Sequence, residues 1–167
     1  MRATTRALAR PPIILPAEAE QGEAMATNVV NLDALIPRED MAAIRAEMPG
    51  RKLETIDITH LEDGFFSASL RKPDFQRETV HWPPDKVFDL IRAFVDGELV
   101  PAVILWRQGA NVFVIDGAHR LSALMAWVYD DYGVGPRSLQ YFGNQIPEEQ
   151  RRVADRTRKM INEKIGA

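Results

Sequence analysis

The stretch Asn111–Ala126, with the sequence NVFVIDGAHRLSALMA, changes its hydrophobic period at Asp116-Gly117. The residues before that point, Val112–Ile115, are β-branched or aromatic, as in a buried strand. Asp-Gly is a strong turn signal because glycine adopts backbone angles that other residues resist. Apolar residues then recur at helical spacing at Leu121, Leu124, Met125 and Val128. The stretch therefore predicts a strand, a tight turn and a helix.

The predicted turn has the outline of an anion-binding site. At a strand-to-helix junction the free N–H groups of the first helical turn and the positive end of the helix dipole point outward. His119 and Arg120 lie in that first turn, and Asp116 either holds Mg²⁺ or fixes the turn. The alternative is an ordinary surface connection in which Arg120 is only a solvated charge.

The segment Asp116–Leu124 resembles the Asp-Gly-Gln-(Gln/His)-Arg-Leu signature of the amino-terminal domains of GmrSD-type modification-dependent restriction endonucleases and of the related Asp-Gly-Gln-His-Arg proteins. These proteins belong to the wider ParB/sulfiredoxin-like superfamily. Upstream, Pro73–Arg77 together with Trp82 resembles the first motif of the family, and Val87–Pro101 resembles the helix that leads into its next strand. The likeness covers about Leu61–Tyr132.

This resemblance implies an α+β fold with a small mixed sheet and packed helices. Whether the chain carries the whole domain or an incomplete version of it is left open. Members of the restriction family couple nucleotide binding or hydrolysis to DNA cleavage in defence against foreign DNA, and ParB-like relatives bind CTP in DNA partition. The implied ligand is thus a nucleoside triphosphate, with or without Mg²⁺. The residues that would bind it are Gln76, Arg77, Asp116, Gly117, Ala118, His119 and Arg120.

Ala118 departs from the signature, which has glutamine at this position. The catalytic cysteine of sulfiredoxins also falls at Ala118, so sulfiredoxin chemistry is excluded. Two hypotheses remain. The first is an NTP-binding domain of a DNA-defence system, with hydrolysis left open and no nuclease domain of its own. The second is a catalytically silent ParB-like module for DNA partition or protein interaction. Nucleotide turnover separates the two.

The composition narrows the partners and the compartment. An apolar share of 46% with 27% charged residues is typical of a soluble globular protein. The net charge of −3 gives no overall field that attracts DNA, so any DNA contact would have to rest on a local basic patch. The candidate macromolecular partners are DNA and a nuclease protein. Zero cysteines exclude disulfides, thiol catalysis and cysteine zinc sites. No apolar run approaches the length that spans a bilayer, so we expect a cytoplasmic protein without membrane contact.

Three regions are expected along the chain. Residues 1–28 read as a disordered tail, and Met25 is a plausible true start. Residues 29–145 are predicted to form the ParB-like nucleotide-binding domain. Residues 146–167 are predicted to form a charged C-terminal helix beginning at Pro147. In the favoured interpretation this helix docks through a thin apolar stripe and its charged face is solvated. In the less favoured alternative its basic residues contact nucleic acid.

The remaining predictions concern individual elements and the core. A helix is expected from about Lys86 to Val95, and a hairpin from Val103–Trp106 and Val112–Ile115. Further expected features are a short helix starting near Pro37, an edge strand at Leu53–Ile58, an extended stretch at Phe65–Leu70, a basic loop at Arg71–Asp74 and a loop at Gly133–Gly143. The expected core comprises Val87, Leu90, Ile91, Ile115, Leu121 and Leu124.

The loop that carries Gln76 and Arg77 is predicted to approach the Asp116–Arg120 turn. Arg77 would then offer a planar fork of donors to a phosphate, and Gln76 would bond a base or a ribose. The plainer interpretation is that Arg71, Lys72 and Arg77 are solvated charges.

Overall fold

A computed structural model describes residues 28–41, 58–80 and 82–165. Within these residues the predicted α+β class is confirmed by a four-stranded mixed sheet with helices packed against it. The strands are β1 (Arg38–Glu39), β2 (Leu70–Pro73), β3 (Ile104–Gln108) and β4 (Asn111–Asp116). Their order is β1-β2-β4-β3, with β3 antiparallel to β4 and the other pairs parallel. The superfamily placement stays a prediction.

The described residues contain one short 3-10 turn and six α-helices. After a short 3-10 turn at Asp33–Leu35 come α1 (Ile58–Glu62), α2 (Gly64–Ser69), α3 (Pro84–Val95), α4 (Ala118–Val128), α5 (Pro136–Tyr141) and α6 (Glu148–Lys164). The predicted hairpin is confirmed as β3–β4, and the three predicted helices in this part of the chain are confirmed as α3, α4 and α6. Proline in the first turn of α3 is favourable because the missing N–H has no helical partner there. Among the described helices, none combines the length and the apolar content needed to cross a membrane.

The register of the parallel strands places two connections side by side. Leu70 lies opposite Val112 and Arg71 opposite Phe113, so β2 and β4 run in step. Both strands therefore end at the same edge of the sheet. The β2–α3 loop, which comprises residues 74–83, and the β4–α4 turn leave from that edge.

The core lies between the sheet and the helices, and α4 is its centre. Six consecutive residues of this helix, from Leu121 to Ala126, are buried. Val153, Ala154 and Ile161 of α6 belong to the same apolar cluster, so the C-terminal helix shares the core. Of the predicted core residues, Val87, Ile91, Leu121 and Leu124 are buried.

Ile115 and Leu90 are only half-buried, which corrects two members of the predicted core. Ile115 lies at the end of β4, directly before the exposed Asp116. Leu90 packs against the apolar cluster from its margin.

The prediction of a helix starting near Pro37 is wrong for the described part of that segment. Arg38 and Glu39 form β1 instead, and the Lys72 amide donates to the Pro37 carbonyl at 2.8 Å. Ladder pairing with a strand more than thirty residues away therefore overrides the local acidic helix-start pattern. The rest of that prediction, and Leu53–Asp57 of the predicted edge strand, lie outside the described residues, whereas Ile58 begins α1. The predicted tail also lies outside them, except for Asn28.

The extended stretch predicted at Phe65–Leu70 is helical as far as Ser69. Asp63 caps α2, because its Oδ1 accepts from the Phe65 amide at 2.9 Å. Arg71–Pro73 likewise lies within β2 rather than in a basic loop, and Lys72 is fully buried.

The loop predicted at Gly133–Gly143 contains α5. Asp131 Oδ1 organises its start by accepting from the amides of residues 133–135 and from the Ser138 hydroxyl. Pro136 occupies the first turn of α5, a position that proline favours. The predicted loop therefore contained a helix-start signal between its glycines.

Candidate functional site

The β4–α4 turn depends on Gly117. Its φ of +91° lies in the left-handed region, which favours glycine. A Cβ atom here would lie 3.0 Å from Arg120 Nη2 and 3.0 Å from Val103 Cγ2. Gly117 is also the N-cap of α4 and has no side-chain oxygen to offer the helix. The first-turn amides of α4 therefore receive no cap from it and remain suited to an anion.

Arg120 folds back over this turn. Its Nη2 donates to Asp116 Oδ2 at 2.7 Å and to the Ala102 carbonyl at 2.9 Å. Its Nε is buried and makes no hydrogen bond within the described part of the chain. The unused donor is therefore enclosed by the protein, and a phosphate approaching Nη2 must compete with Asp116.

The β2–α3 loop meets the β4–α4 junction at two points. Gln76 Nε2 donates to the Val114 carbonyl at 2.5 Å and to the Ile115 carbonyl at 2.8 Å. At the far end of the loop, the Trp82 ring stacks on the His119 ring, with 5.5 Å between centroids and 23° between planes. Two sequence motifs separated by about forty residues are therefore joined at one edge of the sheet.

The predicted ligand residues differ in how they are placed. Gln76 commits its amide donors to the main chain of β4, so it ties the loop down rather than offering those donors to a base or a ribose. Arg77 is exposed, as the plainer interpretation expected. Ala118 is buried in the core, and His119 is half-buried beside Trp82. The Lys86 ammonium lies 4.7 Å from the centre of the Trp82 ring, which adds a positive charge to this margin.

A buried ionic cluster beneath the loop was missed by the sequence interpretation. Lys72 Nζ lies 2.5 Å from Asp33 Oδ1, and the same oxygen accepts from the Thr79 amide at 2.9 Å and from the Thr79 hydroxyl at 3.0 Å. Lys72 is 0% exposed and Asp33 is 4% exposed. The interpretation of Lys72 as a solvated charge is therefore wrong. Arg71 is half-buried and pairs with Glu39 at 2.7 Å, so that interpretation is wrong for Arg71 too.

The cluster fixes the charge state of Asp33. Burial by itself raises the pKa of this carboxyl, but the hydrogen bonds from Lys72 and the Thr79 amide and the charges of Lys72 and Arg38 outweigh it and lower the pKa to about 2. Burial lowers the pKa of Lys72, although the Asp33 carboxylate acts in the opposite direction. No local period or spacing marks Asp33 and Lys72, because they meet only through the β1–β2 pairing.

Arg38 extends this cluster to the loop. Its Nη1 donates to the Gln76 carbonyl at 2.5 Å, while its Nη2 lies 3.4 Å from Asp33 Oδ1. Gln76 is therefore held at its carbonyl from β1 and at its side-chain amide from β4. The loop reaches the junction as an ordered segment.

A separate cleft of about 720 Å³ opens beside the buried cluster. Its polar lining includes Asp33, Arg38, Glu78, Arg137 and Tyr141. The two guanidinium groups already donate to protein oxygens, Arg38 to Gln76 and Asp33, and Arg137 to the Leu35 carbonyl and the Ser67 hydroxyl. Most of the charge in this cleft is therefore engaged within the protein.

Three of the six basic residues of α6 pair with acids in the described part of the chain, namely Arg152, Arg158 and Lys159. Arg158 contacts Asp130 at 2.7 Å and Asp155 at 3.1 Å, and Arg152 contacts Glu149 at 2.8 Å. α6 also packs against α3, and its apolar residues Val153, Ala154 and Ile161 belong to the core. These contacts fit the docking-helix interpretation better than a basic nucleic-acid surface.

Comparison with known families gives a match over most of the described chain. The family model for the N-terminal domain of the GmrSD restriction endonuclease matches residues 58–166. The chain belongs to this family. Both motifs that meet at the β4–α4 junction fall within the match, whereas β1 lies before it. Searches of curated proteins and of solved structures gave no match. The GmrSD family membership makes the chain a component of a restriction-type defence system.

Proposed function

We propose that this GmrSD N-terminal domain binds a nucleoside triphosphate at the β4–α4 junction. The observation that carries the proposal is the convergence of the two family motifs, through the Gln76 bonds to the end of β4 and the stacking of Trp82 on His119. DNA cleavage would then fall to a nuclease partner or nuclease segment that responds to the bound nucleotide. DNA itself is a further proposed partner of the system.

The donor set suits phosphate groups. The uncapped first-turn amides of α4 and the dipole of that helix favour an anion at Gly117–Arg120. The guanidinium of Arg120 adds a planar fork that matches two phosphate oxygens. Arg77, exposed on the adjoining loop, can supply a second positive charge.

Asp116 fits a role in holding Mg²⁺. Its carboxylate is 61% exposed at the end of β4, beside the turn. Mg²⁺ in nucleotide sites is usually held by one or two carboxylates together with the phosphates, and it neutralises phosphate charge. Nucleotide binding is the function that these contacts support, and Asp116 and His119 are the groups through which turnover would act.

The direct test is calorimetric titration of the full chain with each of the four ribonucleoside triphosphates and Mg²⁺, together with the melting temperature at millimolar ligand. Binding to the native state alone raises the melting temperature. Arg120→Ala should abolish binding without changing the fold, and Arg120→Lys should weaken it markedly because lysine lacks the bidentate fork. Arg152→Ala, at an exposed arginine on α6, is the matched control and should bind like the wild type.

Two results would contradict the proposal. One is the absence of any thermal shift or heat of binding with all four triphosphates. The other is wild-type affinity in both Arg120 variants, which would make Asp116–Arg120 an ordinary turn. Either result would favour the silent interaction module.

A further inference from the structure

The β2–α3 loop is held at three points close to the junction. The Gln76 carbonyl accepts from Arg38, the Gln76 amide donates to the end of β4, and the Thr79 amide donates to Asp33 at 2.9 Å. These contacts come from three different elements. The backbone between Asp74 and Thr79 is therefore fixed before any ligand arrives.

Phe75 projects from this fixed loop into solvent. It is 71% exposed, although its neighbour Gln76 is bonded to the main chain of β4. Consecutive Cα atoms are about 3.8 Å apart, so the Phe75 Cα lies next to that of Gln76, whose side chain reaches the end of β4. An exposed aromatic ring on an ordered loop gains nothing from the fold, and a flat apolar ligand group can cover it.

We propose that Phe75 stacks on the base of the bound nucleoside triphosphate. This inference rests on the proposed function and adds how the base is recognised. With the phosphates at Gly117–Arg120, the base extends toward the loop that carries Phe75. Arg77, exposed on the same loop, would supply a positive charge to the phosphates of the same ligand.

Stacking determines the substrate class. Every base has a π-face, so an exposed phenyl ring accepts all four bases and prefers the larger purines only modestly. The Gln76 amide donors, which would be the natural readers of a base edge on this loop, are already taken up by β4. The site is therefore expected to bind nucleoside triphosphates with little base selectivity.

The test compares two probes on four proteins. Each of the wild type, Phe75→Ala, Phe75→Trp and Phe65→Ala is titrated with ATP and with inorganic tripolyphosphate. Phe65 is the matched control, because it is 78% exposed on α2 and lies outside the β2–α3 loop. Phe75→Ala should weaken ATP binding about tenfold and leave tripolyphosphate binding unchanged, because only ATP carries a base. Phe75→Trp and Phe65→Ala should bind ATP at least as well as the wild type.

The possible failures are distinguishable. If the wild type binds neither probe, the proposed nucleotide site is wrong and this inference fails with it. If the wild type binds both and Phe75→Ala matches it on ATP, the site stands and the stacking is disproved. An equal loss for both probes would mean that Phe75 acts on the loop rather than on the base. A single-stranded oligonucleotide, titrated as a third probe, covers the DNA alternative: if Phe75→Ala loses affinity for the oligonucleotide but not for ATP, the ring belongs to a DNA contact and the inference is overturned.

Discussion

Arg120 Nη2 lies 2.7 Å from Asp116 Oδ2, across the turn that Gly117 allows. The pair holds the guanidinium over the proposed phosphate position. Because the Asp116 side chain is 61% exposed, solvent screens the pair and it contributes little stability. A triphosphate would offer Arg120 several more strongly charged oxygens, so under the proposed function we expect phosphate to displace Asp116 from the guanidinium.

Removing the competing carboxylate should therefore strengthen metal-free binding. We expect Asp116→Asn to raise tripolyphosphate affinity roughly two- to fivefold in the presence of a chelator, because the guanidinium is released and a negative charge is lost. With Mg²⁺ the gain should disappear, since the metal loses its carboxylate ligand. Calorimetric titration in both buffers measures the effect.

Asp155→Asn is the control for this change, since Asp155 is exposed and paired with an arginine on α6. It should leave both affinities unchanged. Weaker metal-free binding in Asp116→Asn would show that Asp116 positions Arg120 for the ligand rather than competing for it.

Arg38 should prove to be a positioning residue, although it lies before the residues that match the family. Arg38→Ala removes the donor to the Gln76 carbonyl and should loosen the loop without touching the ligand. We expect faster amide hydrogen exchange across residues 74–80 and weaker triphosphate binding, with partial rescue by Arg38→Lys. Exchange followed by mass spectrometry measures the loosening.

Arg71→Ala is the comparison for Arg38→Ala. Arg71 lies on the neighbouring strand, and among the described residues its side chain bonds Glu39 and the carbonyls of residues 68 and 70 rather than the loop. Its removal should leave exchange in residues 74–80 unchanged. If Arg38→Ala also leaves that exchange unchanged, the loop is fixed by Gln76 and Thr79 alone.

Local patterns in the sequence predicted the elements whose signals lie within a few residues. The strand, Asp-Gly turn and helix around Gly117 follow from a change of period and from one glycine, and α3 follows from its apolar spacing. The resemblance also selected Gln76 and the Asp116–Arg120 turn, which the structure brings together.

What local patterns could not predict depends on distant partners. The two-residue β1 exists because Arg38 pairs with Lys72. Lys72 can be buried because the Asp33 carboxylate and the Thr79 hydroxyl accept hydrogen bonds from its ammonium group. Read locally, each of these residues is an ordinary surface charge or hydroxyl. From the sequence, Arg120 is likewise expected to be available to a ligand, whereas in the structure its guanidinium is bonded to Asp116.

The buried pair of Asp33 and Lys72 should make the fold sensitive to acid. The pKa of Asp33 is lowered from 3.8 to about 2, so its contribution to stability is complete above pH 3.8 and is lost as the pH falls toward 2. The loss should be about 2 kcal/mol of unfolding free energy. Lys72, whose pKa is lowered by burial, carries its proton in both the folded and the unfolded state across this acid window and adds no slope. Urea unfolding at several pH values between 5 and 2 measures the slope.

Variants separate the pair from the general acid response of the protein. Asp33→Asn should remove this part of the slope. Lys72→Met should cost about 3–5 kcal/mol at pH 7, because it leaves the Asp33 carboxylate buried without its main partner. The double variant should cost less than the sum of the two single variants, since no uncompensated charge remains. Additive costs, or an Asp33→Asn protein with the wild-type acid slope, would show that the contact seen at 2.5 Å does not couple the two charges in solution.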